Sequence, residues 1–173
     1  PLDGSCPVIV TANRDDIDLV DSARIPRFLA DIAPDIIVNA SAYTAVDKAE
    51  SEEEIAIAVN ATAVGEMAKF CQSTESAFIH ISTDYVFSGT DNSPYLERDV
   101  VGPTSVYGRS KLAGENAIRD SLTKHIILRT SWVFGAVGNN FVKTMLRLAQ
   151  SRDELRVVAD QFGAPTSASA IAK

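Results

Sequence analysis

Short apolar runs alternate along this chain with longer segments in which apolar residues recur every three or four positions. The runs have the length of single buried strands, and the periodic segments have the length of amphipathic helices. The strand pattern falls at residues 7–12 (PVIVTA), 35–40 (DIIVNA), 77–82 (AFIHIS), 126–130 (IILRT) and 155–159. The helix pattern falls at 24–33, stopped by Pro34, and at 51–73, 104–121 and 140–150. Within 51–73 the spacing turns Ile55, Val59, Thr62, Ala63, Met67 and Phe70 toward a core, with 51–54 (SEEE) as an acidic first turn. Apolar strands separated by helices predict βαβ units and an α/β fold, a doubly wound parallel sheet covered on both faces. No internal repeat, linker or low-complexity stretch interrupts the pattern.

Bulk properties narrow the classes. At 173 residues the chain suits one domain with a real core. Apolar residues at 46% and charged residues at 23% are ordinary for a globular protein. A net charge of -7 argues against a nucleic-acid-binding surface and leaves room only for a local phosphate pocket. No signal peptide opens the chain and no apolar run could span a bilayer, so no membrane association is expected. Cys6 and Cys71, far apart and outside any metal-binding spacing, point to free thiols in a reducing cytoplasm. His80 and His125, each flanked by apolar residues, read as structural groups at strand ends rather than ligands.

The chemistry concentrates at Tyr107 and Lys111. Four residues apart on a helix, their side chains lie on one face, one turn apart. Tyr titrates near pH ~10 in isolation, and a neighbouring cation favours the phenolate. Such a pair can hand a proton to a developing alkoxide, although helix Tyr–Lys pairs of this spacing are more often structural. In parallel sheets the ligand crevice lies beyond the carboxyl ends of the strands. There this chain carries 39–44 (NASAYT), 82–87 (STDYVF) and 129–135 (RTSWVFG), all rich in small polar residues and aromatics. Three such loops and the Tyr107–Lys111 helix are expected to converge on one site.

These segments resemble the extended short-chain dehydrogenase/reductases, and more closely the dTDP-4-dehydrorhamnose reductase family among them. The resemblance rests on 38–50 (VNASAYTAVDKAE), 82–89 (STDYVFSG), 107–115 (YGRSKLAGE), 128–135 (LRTSWVFG) and 160–166 (DQFGAPT). It implies a Rossmann-type NAD(P)-binding domain followed by a smaller sugar-nucleotide domain. Here residues 1–173 would form a partial cofactor domain, with 155–173 leading toward the substrate domain. The implied reaction is NADPH- or NADH-dependent reduction of the 4-keto group of dTDP-4-dehydro-6-deoxy-L-mannose to dTDP-L-rhamnose. By the same resemblance Tyr107 is the general acid. Lys111 lowers its pKa and holds the nicotinamide ribose, and Thr83 donates a hydrogen bond to the carbonyl oxygen or to Tyr107. Asp18 and Leu19 match a turn near the adenine, and Ala40, Ser41, Ala42 and Tyr43 match the loop along the pyrophosphate and ribose. Tyr43 stands where many relatives have His. Thr44, Val46, Thr83, Asp84 and Trp132 match the substrate side, and Asn60 resembles an Asn supporting the active-site strand. Arg14 is a cation within reach of a 2′-phosphate, with a solvated role equally open. Some relatives hold Mg at a subunit contact; a homodimer is the implied assembly, and no residue here is assigned to the metal.

The pattern breaks at both ends. The family opens with a strand and a Gly-rich turn that seats pyrophosphate at a helix N-terminus. Here Gly4 is the only glycine before Gly65. The family also continues beyond 160–166 into the rest of its substrate domain. The expectation is therefore a part of a longer protein, with a truncated paralogue as the alternative. On their own these residues should bind cofactor far more weakly than a complete enzyme. Another nucleotide-sugar epimerase, dehydratase or reductase would share Thr83, Tyr107 and Lys111. A non-catalytic regulatory subunit resembling that of methionine adenosyltransferase is the rival from a different class.

Overall fold

The structure is a computed structural model that describes residues 7–173. The chain divides into two compact units, Pro1–Leu128 and Arg129–Lys173. In the first, strands β1 (Ile36–Asn39) and β2 (Ala77–Thr83) pair in parallel, with Ile36 opposite Ala77 and Asn39 opposite His80. Strand β3 (His125–Thr130), which runs across the division, lies on the other side of β2 and completes the order β1-β2-β3. Strands adjacent in sequence are thus adjacent in the sheet, as successive βαβ units require.

Helix α1 (Ile25–Ile32) starts with Pro in its first turn and stops at Ala33, whose left-handed φ of 50° lets its N–H close onto the Leu29 carbonyl. Between β1 and β2 run α2 (Val46–Ala49), α3 (Glu53–Ile57), a π-helical turn over Ala58–Thr62, and α4 (Ala63–Thr74). Helix α5 (Val106–Ser121) joins β2 to β3. Ile25, Leu29, Val64, Met67, Phe70, Phe78 and Ile118 form the main core. Fully burying a side chain such as Phe78 contributes about 1.5–3 kcal/mol. Cys71 lies in the same core as a free thiol, pushed up to about 11 by burial. Cys6 lies outside the described residues.

Three expectations from the sequence are corrected. Residues 7–12 are not a strand: Val8, Ile9 and Val10 are exposed and their backbone meets no partner among the described residues. A strand exists only through a paired edge, which apolar patterning cannot guarantee. Residues 155–159 are irregular for the same reason. The segment 51–73 is helical from Glu53 as expected, but not α-helical throughout. Its π turn shifts the phase of the buried face, so Ile55 is exposed and Ala56 buried in its place, and Thr62 faces out. Ala63, Met67 and Phe70, beyond the turn, are buried as expected.

The second unit holds a short parallel pair, β4 (Val133–Phe134) with β5 (Thr166–Ser167). It also contains α6 (Phe141–Ala149), capped by the Asn140 side chain on the Lys143 N–H, and α7 (Ala168–Ile171). Among the described residues no helix is long and apolar enough to cross a membrane.

Candidate active site

Helix α5 carries the reactive pair, and its start is held from two directions. Ser105 is extended, and its Oγ accepts the Gly108 N–H at 3.0 Å, a side-chain N-cap. The Val106 N–H donates to Glu50 Oε1 at 2.8 Å, which ties the helix start to the end of α2. Gly108 meets the chain after β2 so closely that a β-carbon there would lie 2.3 Å from the Tyr85 carbonyl oxygen. This contact brings Tyr107 and Tyr85 edge to face, with ring centroids 5.5 Å apart.

Tyr107 is 9% exposed and its phenol lies beside the Thr83 hydroxyl. Thr83 sits at the carboxyl end of β2, where its Oγ1 also accepts the Tyr85 N–H at 3.2 Å and lies 3.3 Å from Asp84 Oδ1. Burial raises the Tyr107 pKa above its ordinary value; the Thr83 hydroxyl opposes this, and Asp84 and Tyr85 add to it. The expected lowering by Lys111 is not what this geometry produces. The Lys111 Nζ donates to the Ile81 carbonyl at 2.8 Å and lies 3.1 Å from His80 Nε2. Lys111 is 1% exposed, and desolvation lowers its pKa to about 8, with the buried Glu115 opposing the shift. Glu115 is held by Ser82 Oγ at 2.6 Å and by Arg119 at 2.8 Å.

Asn60 connects this helix to the loop after β1. From the π turn, its Oδ1 accepts the Tyr43 N–H at 2.8 Å, and its Nδ2 donates to the Tyr43 carbonyl at 3.0 Å and to Ser110 Oγ at 2.9 Å. Ser110 Oγ donates in turn to the Tyr107 carbonyl at 2.8 Å. Helix α5 can approach this turn because residue 114 is glycine: a β-carbon there would stand 2.1 Å from the Asn60 carbonyl oxygen. All four polar bonds lie in or at the edge of the core. Asn60→Ala, which leaves the Tyr43 backbone groups and Ser110 without their partners, is expected to destabilise by about 2–4 kcal/mol. A urea denaturation midpoint unchanged from the parent would contradict that.

The other predicted site residues sort by unit. In the first unit, Ala40 and Ser41 are exposed and Ala42 half-buried at the carboxyl end of β1, where the Ser41 N–H and Oγ both donate to Asn39 Oδ1. Tyr43 Oη donates to Glu52, which also pairs with Lys48 at 2.7 Å. Thr44 is exposed, and Val46 packs against the cluster of Ala49, Ala56, Val106 and Tyr107. Asp18 accepts the Val20 N–H and lies 3.9 Å from Arg14, both side chains being solvated; Leu19 packs on the main core. Trp132 is in the second unit, with a φ of 46° and its indole packed directly against Gly163. So the structure joins Thr83, Tyr107, Lys111 and the loop after β1, while Trp132 belongs to a separate unit. His80, read from the sequence as structural, lies against Lys111 at the centre of the first unit. By the two-residue period of β2 it shares the buried face with Phe78.

A parallel α/β sheet with helices between its strands, and with Thr83, Tyr107 and Lys111 gathered about the carboxyl end of its central strand, is a Rossmann-type arrangement. The chain belongs to the RmlD family: the family described as "RmlD substrate binding domain" matches residues 4–173. It is 53% identical over 155 residues to the dTDP-4-dehydrorhamnose reductase of Escherichia coli strain K12, covering 90% of this chain and 52% of that protein. The dTDP-4-dehydrorhamnose reductase of Salmonella typhimurium is 55% identical over the same shares. Among solved structures, a dTDP-4-dehydrorhamnose reductase from Clostridium acetobutylicum matches with a TM-score of 0.90 and 40% identity, over 96% of this chain and 59% of that one. One from Bacillus anthracis in complex with NADP matches with a TM-score of 0.87 and 39% identity, over 92% of this chain and 57% of that one. The chain therefore spans about half the length of the curated relatives it matches.

Proposed function

We propose that the protein carrying this chain is a nicotinamide-dependent reductase of a dTDP-4-keto-6-deoxy sugar, forming dTDP-L-rhamnose, and that this chain supplies its acid–base face. The observation that carries the reading is the gathering of the buried Thr83, Tyr107 and Lys111 at the end of β2 and the start of α5, with Tyr107 one helical turn from Lys111. The relatives named as dTDP-4-dehydrorhamnose reductases support the choice of sugar. The relative solved with NADP supports a nicotinamide cofactor, and NADPH over NADH within it. The second unit would then be the beginning of the sugar-binding domain, with Trp132 as one of its sugar-side residues. The protein would work in the cytoplasm, with a homodimer as its assembly.

The residues present fit the nicotinamide end of such a cofactor. The loop of Ala40, Ser41 and Ala42 leaves small, accessible side chains at the carboxyl end of β1, open to close approach by a ribose. No Gly-rich turn between strand and helix occurs among the described residues, so the pyrophosphate grip is not part of this fit. When bound, the cofactor supplies a hydride. The chain's own part is the proton. A phenol whose pKa is raised by burial stays protonated at neutral pH, the form needed to protonate a carbonyl oxygen as it becomes an alkoxide. Thr83, whose hydroxyl lies beside that phenol, stabilises the same developing charge. Lys111 would orient the ribose from below Tyr107.

The test is turnover by the intact protein. Oxidation of NADPH on adding the dTDP-4-keto sugar, with dTDP-L-rhamnose as product, is the expected result. Oxidation with other nucleotide sugars only would favour a different member of the superfamily. A folded protein with no turnover, able to bind a partner, would favour a regulatory subunit.

A further inference from the structure

Glu115 is a completely buried carboxylate on the helix of Tyr107 and Lys111. Taking a carboxylate out of water is costly unless an opposite charge and hydrogen bonds offset it. Arg119 Nη2 reaches Glu115 Oε2 at 2.8 Å, but the Arg119 side chain is 42% exposed. A pair with a surface arginine of the same helix could be made with both groups in water, so it does not explain the burial. The other oxygen turns inward. Glu115 Oε1 accepts Ser82 Oγ at 2.6 Å, on the residue before Thr83 at the end of β2. Lys111 stands four residues before Glu115, the spacing at which side chains on a helix are neighbours. It too is withdrawn from water, and its Nζ meets the Ile81 carbonyl at 2.8 Å and His80 Nε2 at 3.1 Å, both uncharged groups. Two buried groups of opposite charge thus lie one helical turn apart against the same strand.

We propose that Glu115 is the counter-charge that holds Lys111 as an ammonium, and that through Ser82 it also fixes the strand end carrying Thr83, which makes it a positioning residue of the acid–base site. Desolvation lowers the Lys111 pKa to about 8 and Glu115 opposes that fall, so Lys111 is mainly charged at neutral pH. The other groups on elements packed against α5 do not substitute for it. His80, on β2, is neutral, its pKa pressed to about 3 chiefly by desolvation, with Lys111 adding to the shift and Glu115 opposing it. Asp84, in the turn after β2, acts on Tyr107. Glu50 accepts the Val106 N–H at the helix start, and Glu52 is engaged by Lys48 and Tyr43. Asp47, Glu53 and Glu54 are exposed, Glu66 pairs with Lys69 on α4, and the π turn presents the uncharged Asn60. The consequence for catalysis rests on the reductase reading: an ammonium one turn from Tyr107 stabilises the phenolate left when the phenolic proton passes to the carbonyl oxygen.

The Lys111 titration in the intact protein, followed by NMR of carbon- and nitrogen-labelled lysine, tests this without reference to turnover. Glu115→Gln keeps an acceptor for Ser82 and removes the charge. It should lower the Lys111 midpoint by about one unit, a tenfold fall in the ratio of ammonium to amine at a fixed pH. The alkaline limb of kcat/KM should move down by the same amount, because the charged form is then lost at a lower pH. Arg119→Met breaks the surface ion pair and leaves the carboxylate, so there the midpoint should not fall. A midpoint unmoved in Glu115→Gln, or lowered equally in Arg119→Met, would overturn the proposal. If Glu115→Gln alone does not fold, combining it with Lys111→Met, which removes both buried charges together, should restore folding. A double variant that stays unfolded would make Glu115 a support of the fold and overturn its role toward Lys111. Absent NADPH oxidation in the parent, with the Lys111 midpoint still falling in Glu115→Gln, would remove the reductase reading alone.

Discussion

Tyr107→Phe in the intact protein is expected to lower kcat for NADPH-dependent reduction of the dTDP-4-keto sugar by about 10²–10⁴-fold while leaving KM within a few-fold. The loss corresponds to about 3–5 kcal/mol of transition-state stabilisation. The split between kcat and KM follows from what the substitution removes. The ring remains edge to face with Tyr85 and packed against Val46, Ala49, Ala56 and Val106, so the fold and the cofactor face keep their shape. Only the phenolic proton is lost, and its bond to the carbonyl oxygen strengthens as negative charge develops there. Interactions made mainly in the transition state appear in kcat. Thr83 remains as a donor on the same side and accounts for residual activity. Steady-state absorbance at the NADPH band measures both constants. Turnover equal to the parent would remove Tyr107 from the role of acid, and a raised KM at constant kcat would make it a binding residue instead.

Gly114→Ala should destabilise the protein by at least about 2 kcal/mol, a fall in Tm of about 4–8 °C for a domain of this size. On helix propensity alone the same change should stabilise by up to about 1 kcal/mol. Geometry decides between the two. The added carbon would stand 2.1 Å from the Asn60 carbonyl oxygen and 3.3 Å from its carbon, and backbone cannot rotate out of the way as a side-chain tip can. Helix α5 would have to move off the π turn, stretching the bonds from Asn60 to Ser110 and Tyr43. Gly65, in α4, is the internal comparison. A β-carbon there would meet only the Ala117 β-carbon, at 3.4 Å, so Gly65→Ala should be close to neutral. Thermal unfolding of the two variants separates the cases; equal Tm values would mean that the α5 contact at Asn60 is looser than described.

Much of the first unit was legible because its signals are local. Pro34 after a periodic segment and the apolar runs of β1 and β2 each depend on a few neighbouring residues. Thr83, Tyr107 and Lys111 could be singled out as candidates because their types and spacing, and the place of Thr83 at a strand end, suit acid–base chemistry. The buried face of 51–73 was misread because a π turn leaves no mark in a periodic pattern. The strands at 7–12 and 155–159 were misread because pairing depends on a partner elsewhere in the chain.

The sequence by itself determined the α/β class and the alternation of strands and helices from 36 to 130, and singled out the proposed acid–base pair, all of which follow from local periodicity and side-chain chemistry. Only the tertiary structure decided the state of that pair. The register that sets Asn39 opposite His80, and the approach of α5 that sets Lys111 against His80, join three distant segments in a buried space. There desolvation and neighbouring charge set how readily each group gives up its proton, and neither exists until the chain has folded.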